Sequence, residues 1–525
     1  MSDDLPVCRG TPSKGARSAA LGLAGLALGL TLLVAEPAYA ESAALDATFR
    51  YTEYQEAHHF RAALEQLGLL SLGLAHYYWQ RDVNSQDWDL GYDWNALRAK
   101  LDGTGYALDT NYFETNYLTH PGAGMLYYLT ARGNRLNVLE SLFYAVAAST
   151  IWEFLGEFRE RVSVNDAIIT PLSGFVLGET TFQLGALFDR SCDTGTNRVL
   201  GTVFAPFKAL HDALDGAKPA RTRDCDRFGL ERVGARRLVI SAGQAVVFEL
   251  HRGRGPVTEL RLDASSALIH LYTYGRPGRG VRRFADGNVS RIELAGALTE
   301  SRWSDLRVSA RIVPVGLHYR NLRVSALRGI VGHETVVGLG AATEYHAHRF
   351  VRSEPRAGYD RWFTIEVPAV FLHWTWRNGG HRLEAELDAG LAFGGVDTLA
   401  LPVYLEQGDP ERLSTVTREH GYNHVVGLAV SPRVRFSWSR VEVGSALQAT
   451  RVYGIDALDR FPAPFDRYTG TELRRSARTW FRYTPDLPPT RFSLSAETIE
   501  RRGRLGSAWA AFRELALVAS LDMAF

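Results

Sequence analysis

The feature that most constrains the fold is an alternation of apolar and polar residues that begins near residue 232 and continues to the C-terminus. It is clearest in NVSRIELAGAL, WFTIEVPAVFLHWTWR, HRLEAELDAGLAFG, VRFSWSRVEVGSALQATRVYG and RFSLSAETIER, which are separated by clusters of Gly, Asp, Asn and Pro. Alternation over segments of about ten residues is typical of transmembrane β-barrels, and the region has room for roughly ten to fourteen antiparallel strands, in an even number. A periplasmic β-sandwich is the alternative, because soluble sandwiches also alternate.

The last strand favours the barrel. In LALVASLDMAF, one face carries only apolar residues: Leu515, Leu517, Ala519, Leu521, Met523 and Phe525. Such a strand, with an aromatic residue in the last position, looks like the signal by which outer-membrane barrels are recognised for assembly. We therefore expect the barrel assembly machinery as a partner, through the strand ending in Phe525. Outer-membrane lipid and lipopolysaccharide are the other expected partners.

Residues 1–40 read as a secretory signal peptide. Arg9, Lys14 and Arg17 form a positive region, SAALGLAGLALGLTLLVA is an apolar core, and AYA ending at Ala40 is a small-x-small cleavage site. The alternative is an uncleaved inner-membrane anchor. Export of a barrel predicts the outer membrane of a Gram-negative bacterium as the location.

Charge and cysteine content narrow the class of protein further. The formal net charge of +1 argues against a nucleic-acid partner held by bulk charge. After the signal, the chain has two cysteines, Cys192 and Cys225, both in a hydrophilic stretch. An even cysteine count in an exported protein suggests one disulfide, although two loop cysteines can also stay free.

We divide the chain into a signal peptide (1–40), a helical domain (41–190), a linker (191–231) and a barrel (232–525), an α+β fold. The second helix is RLNVLESLFYAVAASTIWEFLGEF, and the third is expected to begin at Thr170-Pro171. Gly174 and Gly178 leave one face of the third helix bare, and the two helices would pack as a hairpin. The uncharged run 141–152 is too short to cross a membrane. The helical domain is expected in the periplasm or as a plug in the lumen.

Short motifs between residues 120 and 179 occur in one fixed order. They read His-Pro-x-x-Gly, Ala-Arg-x-Asn, Glu-Ser, Trp-Glu, Glu, Asn-Asp-x-Ile-x-Thr-Pro-x-x-Gly and Gly-Glu. Over residues 85 to 215 the chain resembles a bacterial family catalogued as domain of unknown function 3943. The resemblance implies an outer-membrane location. It implies no activity, substrate or catalytic residue.

The polar residues of this segment favour a structural network. Buried carboxylates are costly unless paired, and arginines lie close in sequence to the glutamates. The predicted members are Arg132, Asn134, Asn137, Glu140, Trp152, Glu157, Asn165 and Asp166. A network of this kind would fix how the helices pack against the barrel.

Two other chemistries stay open. His120 with Glu153 or Glu179 suggests acid-base hydrolysis of lipid or cell-envelope substrates. Carboxylates and His120 on facing helices also suggest a di-metal site, but the diagnostic Glu-x-x-His pair is missing, so we predict no metal and no cofactor. The function predicted overall is an outer-membrane barrel of unknown biochemical role, structural or transport-related, with the membrane-embedded hydrolase as the alternative.

Overall fold

The structure is a computed structural model of the chain. It describes residues 56–79 and 94–525, apart from 159, 220, 251–254, 286–288, 300–301, 350–358, 407, 409, 456–458, 460–469 and 487–488. The predicted signal peptide lies outside the described residues.

The N-terminal half is helical. Its helices are α1 (His59–Trp79), α2 (Trp94–Asp102), α3 (His120–Gly133), α4 (Val138–Ile151), α5 (Val164–Arg190), α6 (Gly195–Phe204) and α7 (Pro206–Leu214). Two π-helical turns, Thr115–Thr119 and Trp152–Gly156, adjoin α3 and α4, and two short strands, β1 (Tyr106–Ala107) and β2 (Val162–Ser163), pair in parallel. The predicted linker 191–231 therefore contains α6 and α7, and the domain boundaries stay a prediction.

The C-terminal half consists of strands. They are β3 (Ala235–Glu249), β4 (Val257–Ile269), β5 (Gly278–Phe284), β6 (Val289–Thr299), β7 (Arg302–Ser325), β8 (Gly329–His348), β9 (Asp360–Asn378), β10 (His381–Asp397), β11 (Tyr422–Trp438), β12 (Val441–Gly454), β13 (Gly470–Tyr483), β14 (Thr490–Leu505) and β15 (Ala508–Ala524). Two short helices, α8 (Leu401–Leu405) and α9 (Thr415–His420), and a 3₁₀ turn, Pro410–Arg412, interrupt the connection between β10 and β11.

These strands form one closed antiparallel barrel. The hydrogen-bonded order runs from β7 through β6, β4, β3 and β15 back down to β8, and β8 pairs with β7 to complete the ring. β5 and β6 pair with successive parts of β7 and share one place in the ring, so the barrel has 12 strands. The predicted helical region followed by an antiparallel barrel is confirmed, and the strand number lies in the predicted range.

Alternation along each strand separates a charged lumen from an apolar exterior. Arg307 on β7 pairs with Glu497 on β14, from the far side of the ring, so both side chains lie in the lumen. The opposite faces carry exposed apolar residues, among them Leu262, Leu294, Leu428, Leu447, Leu494, Leu517 and Leu521. Aromatic residues such as Trp438, Tyr483 and Trp509 lie near strand ends, as in the girdles of membrane barrels.

The two ends of the barrel differ. We call the end at which β3 begins and β15 ends the proximal end, and the other the distal end. The longest connections, 349–359, 398–421 and 455–469, are at the distal end, together with the short ones 300–301 and 506–507, whereas 326–328, 379–380 and 439–440 are short connections at the proximal end. Outer-membrane barrels have short turns on the periplasmic side, so the proximal end is expected to face the periplasm.

The helices pack on the outer wall of the barrel. α5 lies against β6, β7, β8 and β9 and covers Ala310, Ile312, Ala341 and Ile365. The strand neighbours of these residues, such as Arg311, line the lumen. The helices therefore do not fill the lumen, and the lumen-plugging alternative of the prediction is wrong. We call the helices α1 to α7 on this wall the helical layer.

α5 starts earlier than predicted. Ser163 caps the helix by accepting a hydrogen bond from the backbone N–H of Asp166, so the helix begins at Val164 and Pro171 lies inside it. The bare glycine face packs against α3 rather than α4. A Cβ on Gly174 would lie 2.2 Å from the carbonyl carbon of Gly124. Glycine at both positions is thus what lets the two helix backbones touch.

Gly124→Ala should destabilise the protein severely, because its Cβ would lie 1.8 Å from the carbonyl oxygen of Thr170. Overpacking of this kind costs about 1–3 kcal/mol or more. Gly122→Ala is the matched control, since a Cβ there meets nothing within 4 Å. Thermal unfolding of the detergent-solubilised barrel, followed by its heat-shifted gel band, measures both. Equal stability of the two variants would contradict the close contact.

Candidate functional site

Two deeply buried charges of the helical layer form an ion pair. Arg132 on α3 reaches Glu179 on α5 through Nε at 2.9 Å and Nη2 at 3.2 Å. Tyr128 donates to the same carboxylate at 2.7 Å, Gln183 donates at 2.6 Å, and Arg132 also donates to the carbonyl of Leu136. Glu179 is completely buried. This pair holds α3 to α5.

Asn137 and Glu140 form a capping box at the start of α4. The Asn137 side chain accepts from the Glu140 backbone N–H at 2.9 Å, and the Glu140 carboxylate accepts from the Asn137 N–H at 2.8 Å. A reciprocal pair of this kind satisfies two backbone donors that the helix leaves unpaired. Glu140 therefore serves the helix terminus.

A second polar group joins α1 to α3 and to the chain after α7. Asn134 accepts a hydrogen bond from Arg61 and donates to Glu65 at 2.6 Å. Arg61 also donates to Asp215 at 2.7 Å, and this hydrogen bond holds the pKa of Asp215 below its usual value. Asn134 is thus a bridge between helices.

The carboxylates at the other end of α4 are satisfied by Trp152, a predicted member of the network, and by Ser163, which is not. Glu153 accepts from the backbone N–H of Ser163 at 2.8 Å, and Glu157 accepts from the indole N–H of Trp152 at 2.9 Å. Lys100 on α2 donates to the backbone carbonyls of Glu153 and Glu157. The cation beside these glutamates is therefore a lysine from a separate helix, where an arginine was expected.

His120 and Asp166 meet at the distal end of the layer. His120 Nε2 lies 3.5 Å from Asp166 Oδ2, and Asn165 bridges Asp166 and the backbone N–H of Asp109. Ligand atoms of Asp109, His120 and Asp166 lie within 4.8 Å of one another, close enough to share a cation. Asp109 is absent from the predicted set. The expectation that no metal binds here stays a prediction.

The three predicted catalytic residues do not form one site. Glu179 follows Asp166 by thirteen positions on α5, a separation of about 20 Å along the helix. His120 lies beside Asp166, whereas Glu179 is sealed against Arg132. The hydrolase interpretation, which needs His120 and a glutamate in one cavity, is not supported.

The larger concentration of chemistry lies in the lumen. A cavity of about 290 Å³ in its middle is lined by eight arginines and eight carboxylates. The arginines are Arg237, Arg291, Arg307, Arg311, Arg433, Arg435, Arg478 and Arg482, and the carboxylates are Asp263, Glu293, Glu344, Glu366, Glu386, Asp388, Glu497 and Asp522. Pairs such as Arg433 with Glu293, 3.1 Å apart, cross from one wall to another. The middle of the lumen is therefore densely charged but balanced.

A second cavity of about 640 Å³ adjoins the first at the proximal end, and here arginines outnumber acids. We call it the proximal vestibule. Its lining includes ten arginines, which are Arg232, Arg236, Arg237, Arg276, Arg291, Arg311, Arg377, Arg382, Arg435 and Arg491. Its three carboxylates are Glu384, Glu386 and Glu442.

Several arginines of the vestibule and of the adjoining middle cavity share a carboxylate. Arg382 and Arg435 both pair with Glu384. Arg237 and Arg482 both pair with Glu442, at 2.8 and 2.7 Å. Arg482 and Arg491 both approach Asp522, at 3.3 and 3.9 Å. Five arginines thus surround three carboxylates, which leaves an excess of positive charge.

Each mouth of the lumen is narrowed by an inward connection. At the proximal end, residues 270–277 turn inward, and the Tyr274 hydroxyl lies 2.9 Å from His373 Nε2 and 3.1 Å from Thr375 Oγ1. At the distal end, the connection 398–421 packs Tyr404 against Leu505, whose side chain faces the lumen. The lumen is thus polar and restricted at both ends.

The sequence carried a signal for this lumen that our prediction did not use. Charges recur at every second position in Arg291-x-Glu293, Glu384-x-Glu386-x-Asp388 and Arg433-x-Arg435. Period-two charges on a barrel strand can only face the lumen, because the other face meets lipid. His346 and His348 belong to the same network: His346 pairs with Glu344, and His348 bridges Asp305 and Glu514.

Cys192 and Cys225 are joined by a disulfide with Cα atoms 6.1 Å apart. It ties the end of α5 to the segment before β3. Arg190 pairs with Glu231 nearby at 3.0 Å, which fixes the same junction.

A closed, even-stranded antiparallel barrel with a charged lumen, an apolar exterior and aromatic strand ends defines an outer-membrane β-barrel. Residues 105–207 match the family model described as Domain of unknown function (DUF3943), which confirms the resemblance predicted from the motifs. No curated protein matches the chain in sequence.

Among solved structures, the barrel is similar to the COG4313 outer membrane channel from Pseudomonas putida F1, with 13% identity, a TM-score of 0.25, and coverage of 58% of this chain and 100% of that one. It is also similar to the P. putida toluene transporter TodX, with 8% identity, a TM-score of 0.19, and coverage of 55% and 89%. At these scores the likeness carries no argument about function.

Glu179→Gln should destabilise the helical layer, because it leaves the Arg132 guanidinium buried without its counter-charge. Removing one partner of a buried ion pair costs about 3–5 kcal/mol. Thermal unfolding in detergent measures the loss, and Arg132→Met with Glu179→Leu should recover part of it. If the single substitution leaves stability unchanged, the pair does not hold α3 to α5.

Proposed function

We propose that this protein is an outer-membrane channel for small anionic solutes, with the proximal vestibule as the part of the lumen that attracts them. The observation that supports it most directly is the arginine excess in a cavity of about 640 Å³ that adjoins the middle of the lumen. Rings of arginine or lysine are how anion-selective pores are built.

Two features of the arginines suit a mobile anion. Arg491 donates no hydrogen bond from Nε or Nη2 within the described residues, and its nearest carboxylate, Asp522, is 3.9 Å away. Arg382 Nε is likewise without a hydrogen-bond partner in the described part of the chain. Guanidinium groups bind carboxylate and phosphate through paired N–H donors. The two vestibule guanidinium groups thus keep part of their donor capacity unused.

The balanced middle of the lumen suits passage better than storage. Conduction requires sites that attract a solute without retaining it. Each arginine in the middle has a carboxylate near it, as Arg311 has Asp388, so the net attraction falls once an anion leaves the vestibule. A transport-related role thus fits the lumen better than the helical layer.

Residues 1–40 are proposed to direct export, with cleavage after Ala40, in a Gram-negative cell. The apolar outer face of β15, which exposes Leu517, Leu521 and Met523, supports recognition by the barrel assembly machinery. Outer-membrane lipid and lipopolysaccharide are the surroundings proposed for the bare wall.

Reconstitution in planar bilayers tests the proposal. The wild-type protein should conduct weakly and prefer chloride over potassium in a KCl gradient. Arg382→Gln with Arg491→Gln should lower that preference roughly twofold, because two unbalanced charges leave the vestibule. Arg198→Gln is the control, since Arg198 lies on α6 and pairs with Asp193 outside the lumen. The proposal is contradicted if the barrel does not conduct, or if the preference for chloride is the same with and without the two vestibule substitutions.

Tyr274→Phe should raise the conductance. It removes the hydroxyl that binds His373 and Thr375 and so loosens the turn that narrows the proximal mouth. Tyr272→Phe is the matched control on the same turn, because the Tyr272 ring is 49% exposed and the Arg276 contact that it makes uses the ring face. Single-channel recording compares the two. Identical traces would mean that the turn does not restrict the mouth.

A further inference from the structure

The outward face of the helical layer is apolar where a water-facing helix would be charged. From Val138 to Gly156, α4 and the π-helical turn after it form one stretch long and apolar enough to cross a membrane. Its exposed positions are Leu139, Phe143, Val146, Thr150, Ile151 and Leu155. None of these carries a charge. The uncharged run used in the sequence prediction stopped at Trp152, so it missed the full length.

The neighbouring helices present the same kind of face. α1 exposes Phe60, Leu64, Leu67 and Leu72, α6 exposes Val199 and Val203, and α7 exposes Leu210 and Leu214. Contiguous apolar surface of this extent marks contact with lipid or another protein. The layer is therefore apolar on the side away from the barrel as well as on the side against it.

The layer stands beside the wall from one rim to the other. Near the start of α5, Asn165 accepts from the backbone N–H of Asp109, whose carbonyl accepts from His424 at the distal end of β11. At its other end, Arg190 pairs with Glu231, just before β3 at the proximal end. The 27 residues of α5 span about 40 Å. Strands at this height cross the hydrocarbon, so the helices that cover them lie at the same depth.

The charges of the layer are arranged as hydrocarbon requires. Arg132 and Glu179, in the middle, are turned inward and paired. Arg61 and Asp215 lie towards the proximal end, and Lys100 lies beside the distal end of α4. Ionisable groups at bilayer depth are costly unless they pair or reach the interface.

We infer that the helical layer is embedded in the outer membrane beside the barrel, and that its outward face binds the acyl chains of lipid. The lipid-facing surface of the barrel continues onto this face, since the bare wall exposes residues such as Leu447 and Leu494 and the layer exposes Leu139 and Phe143. The inference rests on the barrel lying in a bilayer and is independent of transport.

Spin labels on single cysteines in lipid vesicles test it. The native Cys192 and Cys225 are joined in a disulfide, so introduced thiols label cleanly. Phe143→Cys reports on the layer, Leu517→Cys on the bare wall, and Leu327→Cys, 96% exposed in a proximal turn, on water. Relaxation by oxygen reports hydrocarbon, and relaxation by a water-soluble nickel chelate reports water.

A Phe143 label relaxed by oxygen to the same degree as the Leu517 label supports the inference. Relaxation by nickel, as at Leu327, overturns it in favour of a water-facing layer. Shielding from both reagents also overturns it, because a second copy of the chain or another protein then covers the face.

Phe143→Asp gives a second readout that needs no label. In hydrocarbon it should reduce the yield of heat-shifted barrel in vesicles severalfold, whereas Leu327→Asp should not. Equal yields of the two variants overturn the inference. Chloride selectivity of the wild-type channel is measured separately, so a failed transport test leaves this result unaffected.

Discussion

The constraint on which the rest of the structure depends is strict alternation across a closed sheet. Closure gives the long strands of the described wall a hydrogen-bonded neighbour on both sides, whereas the short β5 pairs with β7 alone. A slip of one residue would turn Arg307 and Glu497 towards lipid and the leucines towards the lumen. The lumen chemistry and the surface that receives the helices therefore both depend on the strand register.

In two strands, a bulge changes which alternate residues face the lumen. The pairing of β7 shifts between Ile312 and Val315, around Pro314, and β9 carries an extra residue opposite Gly340–Ala342, around Pro368. Proline lacks the N–H that a ladder needs, so it is tolerated at bulges. Beyond them the lumen face changes parity, from Arg311 to His318 and from Glu366 to Phe371. Alternation read straight through these prolines assigns one half of each strand to the wrong face.

Much of the barrel was readable from sequence because its rules are local. Side-chain period, turn residues and the last strand predicted a barrel of suitable size. The helical layer was less readable, because apolar helices on a barrel wall, in a lumen or in a soluble bundle have the same composition. What distinguishes them is the small residues under the helices: a Cβ on Gly395 would lie 2.0 Å from the Tyr117 ring, and Ala310 and Ala341 lie beneath α5. Which strand packs against which helix depends on tertiary structure and cannot be predicted from residue spacing within one segment. The donor to Glu153 was hidden for the same reason, since Ser163 comes from another element, whereas Glu140 and Glu157 accept from Asn137 and Trp152 of their own segment.

The two charged regions differ in what their ion pairs can do. In the layer, Arg132 and Glu179 have a complete set of partners, so the pair is fixed and holds two helices. In the lumen, carboxylates such as Glu384 and Glu442 are shared between arginines, so those pairs are incomplete. A shared carboxylate leaves donor capacity that water or a solute must fill, since a buried guanidinium without partners is costly. The same residue types therefore rigidify the dry side of the wall and leave the wet side able to exchange partners. That difference is the physical reason to look for function in the lumen and for support in the helices.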